Sequence, residues 1–222
     1  MLYLKTVILM IKNIFFDFNG TIIDDVDLCL DLLNQVLIKQ NKKILNKDEY
    51  KHVFKFPIKQ YYLDAGVDFN NESYEELSNW FIKEYQPKSF HCGLYPDSIK
   101  TFDFLKEKGY NLFILSASEV NNLKEQTDVY GITKYFDAIL GIDNIFAASK
   151  VDVAKDYIKN NNFNPNETIF IGDTLHDVLV AKSINATPIL VDCGHQARDI
   201  LDSANVKILH SIADLKEVLE ND

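Results

Sequence analysis

The sequence predicts an α/β fold, a doubly wound and mostly parallel sheet with helices on both faces. Short apolar runs rich in β-branched and aromatic residues alternate with amphipathic segments of helical length, which is the pattern of repeated βα units. The first run, residues 14–16, contains no polar residue, as is typical of parallel strands buried on both faces. A chain of 222 residues is long enough to bury the core of such a fold.

The segment after the first strand is predicted to be helical. Apolar residues recur there at helical spacing, and Asn46 followed by acidic residues is a helix-start signal. No stretch between residues 24 and 89 has a strong strand pattern. The predicted helices span residues 26–39, 46–56, 58–66 and 72–85.

Strands and helices alternate from Tyr95 onward. We expect the first strand to join the same sheet, so that residues 1–23 and 90–222 form the α/β core domain. Residues 24–89 are then a helical domain inserted after the first strand. The later predicted strands are 110–115, 136–140, 168–171 and 188–191, and the later predicted helices are 97–108, 120–130, 151–160, 178–183 and 212–219.

The composition argues against several classes of partner. A formal net charge of −10 disfavours nucleic acid or an anionic membrane as the main partner. The cysteines, Cys29, Cys92 and Cys193, lack metal-ligand spacing, which favours reduced thiols and a cytoplasmic location. The apolar opening segment, residues 2–11, is short and lacks a cleavage-site pattern, so we expect neither a membrane anchor nor a secretion signal.

Carboxylates follow two of the predicted buried strands. Asp17 comes directly after the first, and Asp173 follows a later one, with Asp177 four residues further on. Open α/β sheets bind ligands at the carboxyl ends of their strands, and hard cations such as Mg²⁺ take carboxylate oxygens. If a helix begins at Asp173, the spacing of four places both acids on one helical face. The alternative, acids favoured by a helix macrodipole, explains one Asp better than two.

Two weaker signals lie between these carboxylates in the chain. Ser116-Ala117-Ser118 follows a predicted strand, where a hydroxyl and turn amides can hold a phosphate oxygen. Lys150 opens a predicted helix. The alternatives are an ordinary helix cap for the serines and a solvated surface charge for the lysine.

Taken together, these signals resemble a known family. Four features resemble, in chain order, the four motifs of the haloacid dehalogenase superfamily: residues 17–21, Ser116, Lys150, and Gly172-Asp173 with Asp177. Tyr95-Pro96 and the insertion directly after the first strand are similar to the phosphoglycolate-phosphatase-like branch. The resemblance covers nearly the whole chain. It implies a Rossmann-like core with a helical cap, and a phosphatase that acts on a small phosphorylated metabolite.

The resemblance also implies roles for the carboxylates. Asp17 is expected to attack phosphorus and form an aspartyl-phosphate. Mg²⁺ is expected to be held by Asp17, the backbone carbonyl of Asn19 and Asp173, with Asp177 bound directly or through water. A metal and a lysine are needed there, because a carboxylate that attacks a phosphate dianion faces like-charge repulsion.

The remaining implied contacts concern the substrate. Ser116 and Lys150 are expected to bind oxygens of the transferring phosphoryl group, with Gly20 and Ala117 as further contacts. Lys59, in the inserted domain, is a candidate specificity residue, and an exposed helix lysine is the favoured alternative. Residues 194–196, after the last predicted strand, have two interpretations, a position near the mouth of the site and an ordinary surface loop, and the surface loop is favoured.

Asn19 departs from the family pattern, which usually has a second Asp at this position. That Asp gives a proton to the leaving oxygen and then activates water, whereas an amide does not exchange a proton at neutral pH. General acid–base help is typically worth about 10²–10⁴-fold. We therefore expect a slow phosphatase, or one that favours acyl and aryl phosphates, and Asn19→Asp should raise the turnover of alkyl phosphates. The alternative is a phospholigand-binding or regulatory protein with little or no turnover.

Overall fold

The computed structural model describes residues 11–142 and 149–220. Nearly all of the apolar opening segment, and with it most of the expectation about anchors and signals, lies outside these residues. In the part of the chain that is described, no helix is long and apolar enough to cross a bilayer.

Within the described residues, six parallel strands form one sheet in the order β3-β2-β1-β4-β5-β6. The first strand therefore lies at the centre, between two strands that follow it much later in the chain. This arrangement confirms the predicted doubly wound parallel sheet. The strands are β1 (Asn13–Phe16), β2 (Asn111–Glu119), β3 (Ala138–Ile142), β4 (Thr168–Gly172), β5 (Thr187–Val191) and β6 (Lys207–Leu209).

Helices cover both faces of the sheet because successive side chains of a strand point to opposite sides. Ile14 and Phe16 of β1 belong to one buried apolar cluster, and Phe15 belongs to another on the opposite face. Phe15 stacks on Phe113 of β2, with ring centroids 4.6 Å apart. The helices of this part are α5 (Ser98–Glu107), α6 (Val120–Val129), α7 (Lys150–Asn160), α8 (Leu175–Ser183), α9 (Arg198–Asp202) and α10 (Leu215–Glu220).

Residues 24–89, called the helical insertion below, lie between β1 and β2 and carry their own apolar cluster. Two of its helices begin with capping boxes, in which Asn46 pairs with Glu49 and Ser73 pairs with Glu76. Tyr50 and Leu77 lie in the buried centre of the cluster. The four helices of this fully described segment are α1 (Val26–Lys39), α2 (Lys47–Val53), α3 (Ile58–Asp64) and α4 (Tyr74–Ser89).

The helical insertion joins the rest of the molecule through two segments that pair with each other. Ile23 and Leu94 form an antiparallel bridge. The amide of Asp24 donates to the carbonyl of Gly93 at 3.1 Å, and the amide of Tyr95 donates to the carbonyl of Ile22 at 3.0 Å. The entry and exit of the insertion therefore form a short two-stranded neck.

Several element bounds differ from the sequence-based predictions. β2 continues to Glu119 instead of ending at Leu115, because Glu119 pairs again with Ile142 of β3 after an irregularity in the register. β6 and α9 were not predicted. Each is short, at 3 and 5 residues, and a run of that length carries too few apolar positions to display a period.

Candidate active site

The candidate site begins where β1 and β4 end side by side. Phe16 pairs with Ile171, and the amide of Asp17 donates to the carbonyl of Ile171 at 2.7 Å. This register brings Asp17 and Asp173 to the same edge of the sheet, although 155 residues separate them. Carboxylate oxygens of Asp17, Asp173 and Asp177 all lie within 4.8 Å of one another.

Two glycines allow this close approach. A Cβ atom at Gly172 would lie 2.2 Å from Cγ of Asp177. Gly20 has a φ of +69°, and a Cβ there would lie 2.4 Å from Oδ2 of Asp173. Any larger residue at either position would displace a carboxylate.

Lys150 supplies the positive charge of the carboxylate cluster. It is the first residue of α7 and is buried, with its Nζ donating to Oδ1 of Asp17 at 2.5 Å and Oδ1 of Asp177 at 2.7 Å. Burial lowers the pKa of Lys150, but the two carboxylates outweigh it and the net pKa is raised. The alternative of a solvated surface lysine is therefore wrong.

Asp177 has two kinds of partner. Its Oδ2 accepts from the amide of Thr174 at 3.0 Å and from its Oγ1 at 2.7 Å, which completes the capping box of α8. Its Oδ1 faces Lys150. Asp173 precedes the N-cap Thr174, so the expected placement of both acids on one helical face is wrong. The loop before α8 brings them together instead.

The buried carboxylates carry more negative charge than Lys150 balances. Burial, together with Asp177 and Asp173 and despite Lys150, raises the pKa of Asp17 to about 8. Burial and Asp177 outweigh the cationic effect of His195 and raise the pKa of Asp173 to about 6. A divalent cation among these oxygens would relieve the repulsion, and an all-oxygen donor set is what Mg²⁺ prefers. The residues present therefore fit this ion.

The Asn19 side chain is fully engaged in hydrogen bonds. Its Nδ2 lies 2.9 Å from Oδ2 of Asp25 and 2.6 Å from the hydroxyl of Tyr85. Its Oδ1 accepts from Oγ of Ser118 at 3.1 Å and lies 3.5 Å from Oγ of Ser116. An Asp at position 19 would place a second carboxylate against Asp25. The amide at position 19 is therefore matched to the carboxylate at position 25.

Asp25 and His195 form a buried ion pair under the Asp17–Thr21 loop. Nε2 of His195 lies 3.2 Å from Oδ1 of Asp25, and its backbone amide donates to Oδ2 of Asp173 at 2.6 Å. Burial raises the pKa of Asp25, but His195, Tyr85 and Asn19 outweigh it and the net pKa is lowered. Burial lowers the pKa of His195, but Asp25 outweighs it and the net pKa is raised.

Two tyrosines of the helical insertion complete this network. The hydroxyl of Tyr85 donates to Oδ2 of Asp25 at 2.7 Å, and the hydroxyl of Tyr50 lies 2.7 Å from Nδ1 of His195. The interpretation of residues 194–196 as an ordinary surface loop is wrong, because His195 and Gln196 are each only 3% exposed. Sequence reasoning did not single out Asp25, Tyr50 or Tyr85. The only sequence signal was the position of Asp25 in an acidic pair just after the first motif.

The other predicted contacts are placed as follows. Ser116 and Ala117 line a cavity above the carboxylates, together with Asp17 and Lys150. The amide of Gly20 donates to Oδ1 of Asp25 at 2.9 Å and so is already occupied. The exposed Lys59 places its Nζ 5.8 Å from the ring centre of Phe69 and 5.9 Å from that of Tyr74. Neither Gly20 nor Lys59 is among the described residues that line the cavity.

This cavity has a volume of about 460 Å³ and lies between the sheet edge and the helical insertion. Asp17, Lys150 and Asp173 line it from the sheet side, and aromatic residues of the helical insertion line it from the other. Its size is that of a pocket for a small ligand.

The parallel α/β sheet gathers carboxylates and a lysine at its carboxyl edge, below a helical insertion, which is the class of fold and site that the comparisons with known proteins also indicate. The chain belongs to the haloacid dehalogenase-like hydrolase family, which residues 14–191 match. This match confirms the resemblance inferred from the sequence.

Relatives with named activities include two phosphatases. The chain is 27% identical over 159 residues to a phosphoglycolate phosphatase of Mannheimia succiniciproducens, covering 70% of each chain. It is 21% identical over 232 residues to a glyceraldehyde 3-phosphate phosphatase of Methanothermobacter thermautotrophicus, covering 95% of this chain and all of the relative.

Solved structures show the same fold. A haloacid dehalogenase-like family hydrolase from Streptococcus pneumoniae matches 94% of this chain and 98% of its own, with a TM-score of 0.80 and 19% identity. CbbY from Rhodobacter sphaeroides, solved in complex with phosphate, matches 95% of this chain with a TM-score of 0.72 and 17% identity. It is covered over its full length. At these identities the similarity establishes the fold.

Proposed function

We propose that this protein is an Mg²⁺-dependent phosphatase that hydrolyses a small phosphorylated metabolite through an aspartyl-phosphate on Asp17. The family match and the relatives place the chain among the haloacid dehalogenase-like phosphatases. The observation that supports the mechanism is the meeting of Asp17, Asp173, Asp177 and Lys150 at one sheet edge, beneath a cavity.

The proposed first step is attack of Asp17 on phosphorus, with departure of the alcohol oxygen. Asp17, the carbonyl of Asn19, Asp173 and Asp177 are the residues that would hold Mg²⁺, which when bound would neutralise charge on the phosphoryl oxygens. Lys150 and Ser116 would bind the remaining oxygens and fix the phosphorus in line with Asp17. Water then attacks the phosphorus of the aspartyl-phosphate, which releases inorganic phosphate and regenerates the carboxylate of Asp17.

Asn19 sets the expected preference for the leaving group. Its amide can orient a leaving oxygen or a water molecule through hydrogen bonds, but it gives up no proton at neutral pH. The departing oxygen must then be stable as an anion or take its proton from water. We therefore propose faster turnover of acyl and aryl phosphates than of alkyl phosphates with the same binding.

The test is hydrolysis of acetyl phosphate and phenyl phosphate with and without Mg²⁺, in the wild type and Asp17→Asn. We expect metal-dependent turnover that Asp17→Asn abolishes, with no change in Asp27→Asn, an exposed acid at the start of α1. A covalent phosphoryl group on Asp17, trapped by rapid acid quench, would identify the nucleophile. Turnover that survives Asp17→Asn would refute the mechanism.

A phosphate-binding protein without turnover is a second candidate, and Asn19 is the observation that favours it. The two functions separate in one experiment. Two results together would favour the binding protein. Calorimetry would show binding of inorganic phosphate in the presence of Mg²⁺, and neither acetyl phosphate nor phenyl phosphate would be hydrolysed above the Asp17→Asn background.

A further inference from the structure

The cavity above the carboxylates has two chemically different halves. The sheet edge contributes its carboxylates, Lys150 and the hydroxyls of Ser116 and Ser118. The helical insertion contributes a predominantly apolar wall in which aromatic rings prevail. Its aromatic and aliphatic lining residues include Phe54, Phe56, Ile58, Tyr61, Phe81 and Ile82.

The helical insertion brings no ammonium group to this wall. Among the described residues, Lys150 is the lysine that lines the cavity, and it is bound to Asp17 and Asp177. The insertion's lysines nearest in sequence to the lining residues are engaged elsewhere. Lys51 donates to the backbone carbonyls of Asp192 and Cys193, and Lys55 pairs with Asp64. Lys59 places its Nζ 5.9 Å from the ring centre of the lining residue Tyr74 but does not itself line the cavity. An anionic leaving group would therefore have no counter-charge on the far side of the cavity.

Charged residues at the cavity rim add to this effect. The exposed Glu75 of α4 and the partly buried Glu119 at the end of β2 both line the cavity. A carboxylate or second phosphate on the leaving group would meet these acids while losing its own hydration. Burying an unpaired charge is unfavourable.

Several polar side chains of the insertion that reach the cavity are already hydrogen-bonded inside the protein. The hydroxyls of Tyr50 and Tyr85 are bound to His195 and Asp25. Oγ of Ser78 donates to the carbonyl of Tyr74, and Gln86 donates to the carbonyl of Asn122. These four groups are poorly placed to recognise the hydroxyls of a sugar. The surface left to contact the leaving group is mainly aromatic and aliphatic, and Tyr62 and Tyr74 contribute to it.

We propose that the leaving group of the natural substrate is an uncharged, ring-bearing apolar alcohol, so that the substrate is a monophosphate ester of an aromatic or similarly apolar alcohol. This inference rests on the proposed function and names the substrate class of the same site. A volume of about 460 Å³ holds a phosphoryl group and a ring system. The rings of Phe81 and Tyr85, stacked with centroids 5.6 Å apart at 12°, provide a flat surface for it.

The test compares esters that differ in the ring but not in the kind of leaving oxygen. Benzyl phosphate and ethyl phosphate both release a primary alkoxide, so Asn19 affects them alike, and phosphoglycolate adds a carboxylate. We expect kcat/KM for benzyl phosphate to exceed that for each of the others by about tenfold or more. Equal or higher values for ethyl phosphate or phosphoglycolate would overturn the inference.

A binding measurement separates this inference from the proposed function. Benzylphosphonate and phosphonoacetate resist hydrolysis, so calorimetry with Mg²⁺ reports selection even in a protein without turnover. We expect benzylphosphonate to bind about tenfold more tightly. If benzylphosphonate binds more tightly while no ester is hydrolysed, the proposed function is refuted, but the inferred selection of an apolar leaving group is supported. Tighter binding of phosphonoacetate overturns the selection whatever the turnover.

Two variants change the wall directly. Ile82→Lys on α4 and Ile58→Lys on α3 each place an ammonium group at the cavity, and Ile38→Lys is the matched control because Ile38 is 62% exposed on α1 and lies outside the lining. We expect either cavity variant to lower the ratio of kcat/KM for benzyl phosphate to kcat/KM for phosphoglycolate by about tenfold. An unchanged ratio in a folded variant counts against the inference. If both variants unfold, the comparison of the three esters with the wild-type protein decides the inference.

Discussion

The sheet edge and the helical insertion form the same cavity in opposite ways. At the sheet edge, polar groups from β1, β4 and the starts of α7 and α8 point at one another, and local sequence motifs fix where each lies. The helical insertion instead presents apolar side chains that continue its own core toward the cavity. Under the proposed function, the edge carries the groups that act on phosphorus, and the insertion contacts the leaving group.

The contrast has one exception, the contact between Asp25, His195, Tyr50 and Tyr85. Here the helical insertion turns two hydroxyls toward the buried ion pair between its own Asp25 and His195 of the core. The orientation of Asn19 is fixed by the same contact. Variants of Lys150, Asn19, His195 and Lys59 test whether the sheet edge and the helical insertion have separate roles.

The largest effect is expected at the sheet edge. Lys150→Met leaves Asp17 and Asp177 buried without a counter-charge, so we expect a loss in kcat of at least about 10²–10³-fold. Removing one partner of a buried pair also costs about 3–5 kcal/mol of stability. Steady-state kinetics and chemical unfolding measure the two losses, with the exposed Lys155→Met on the same helix as the control. Near-normal kcat would show that the edge does not depend on this charge.

The next effect concerns Asn19 and the ion pair. Asn19→Asp alone should destabilise the fold, because it places a carboxylate against Asp25, and like charges at an interface cost several kcal/mol. The sequence leads us to expect a gain in alkyl phosphate turnover with Asp at position 19. This gain, about 10²-fold in kcat, should then appear only in the double variant Asn19→Asp/Asp25→Asn. Thermal unfolding and kcat for ethyl phosphate check this. If Asn19→Asp alone were as stable as the wild type and hydrolysed ethyl phosphate faster, Asn19 and Asp25 would not be matched.

A smaller, pH-dependent effect is expected from His195. Because its pKa is raised above 6.5, the stability it contributes is complete below pH 6.5 and is lost as the pH rises through the folded pKa. Asp25, with a lowered pKa, contributes above its unfolded value of 3.8 and loses this contribution as the pH falls through its folded pKa.

Unfolding measurements between pH 5 and 9 can detect this dependence. The stability difference between the wild type and His195→Gln should be largest at pH 5–6.5 and should shrink at higher pH, by about 1.4 kcal/mol per unit of pKa shift. His210→Gln, at an exposed histidine beside Asp192, is the control. A difference that grows with pH would contradict a charged His195.

The smallest effect is expected at Lys59. Its ammonium group lies over Phe69 and Tyr74 on the exposed side of the helical insertion, where a cation–π contact is worth about 0.5–1 kcal/mol. We therefore expect Lys59→Ala to change the kinetics little for all esters, with Lys55→Ala as a comparison. A selective loss of phosphoglycolate turnover would instead support Lys59 as a specificity residue.

The sequence predicted the sheet edge far better than the cavity wall. Asp17 and Asp173 each follow a continuous buried strand, and a local pattern of this kind can be read without knowing the rest of the fold. The parallel sheet followed from the same strands. Lys150 carried a weak signal alone and gained meaning only from its place in the ordered set of motifs.

The network around Asp25 could not be predicted in this way. His195 and Tyr50 are 145 residues apart, and their contact depends on how the helical insertion packs on the sheet. No helical or strand period encodes that packing. The same limit applies to Phe56 and Ile82, because the pattern of apolar residues indicates a helical segment but not which of its side chains line a cavity.

The two-stranded neck has a further consequence. The insertion enters and leaves through two segments that are joined by the bridge at Ile23 and Leu94. It is therefore attached to the core by two adjacent chain segments and not by a single flexible linker. Such a joint bends about one axis and resists twisting. We therefore expect the insertion to move relative to the sheet by a hinge rotation about this axis. The hydrogen bonds of the Tyr50 and Tyr85 hydroxyls to His195 and Asp25 would define its closed position.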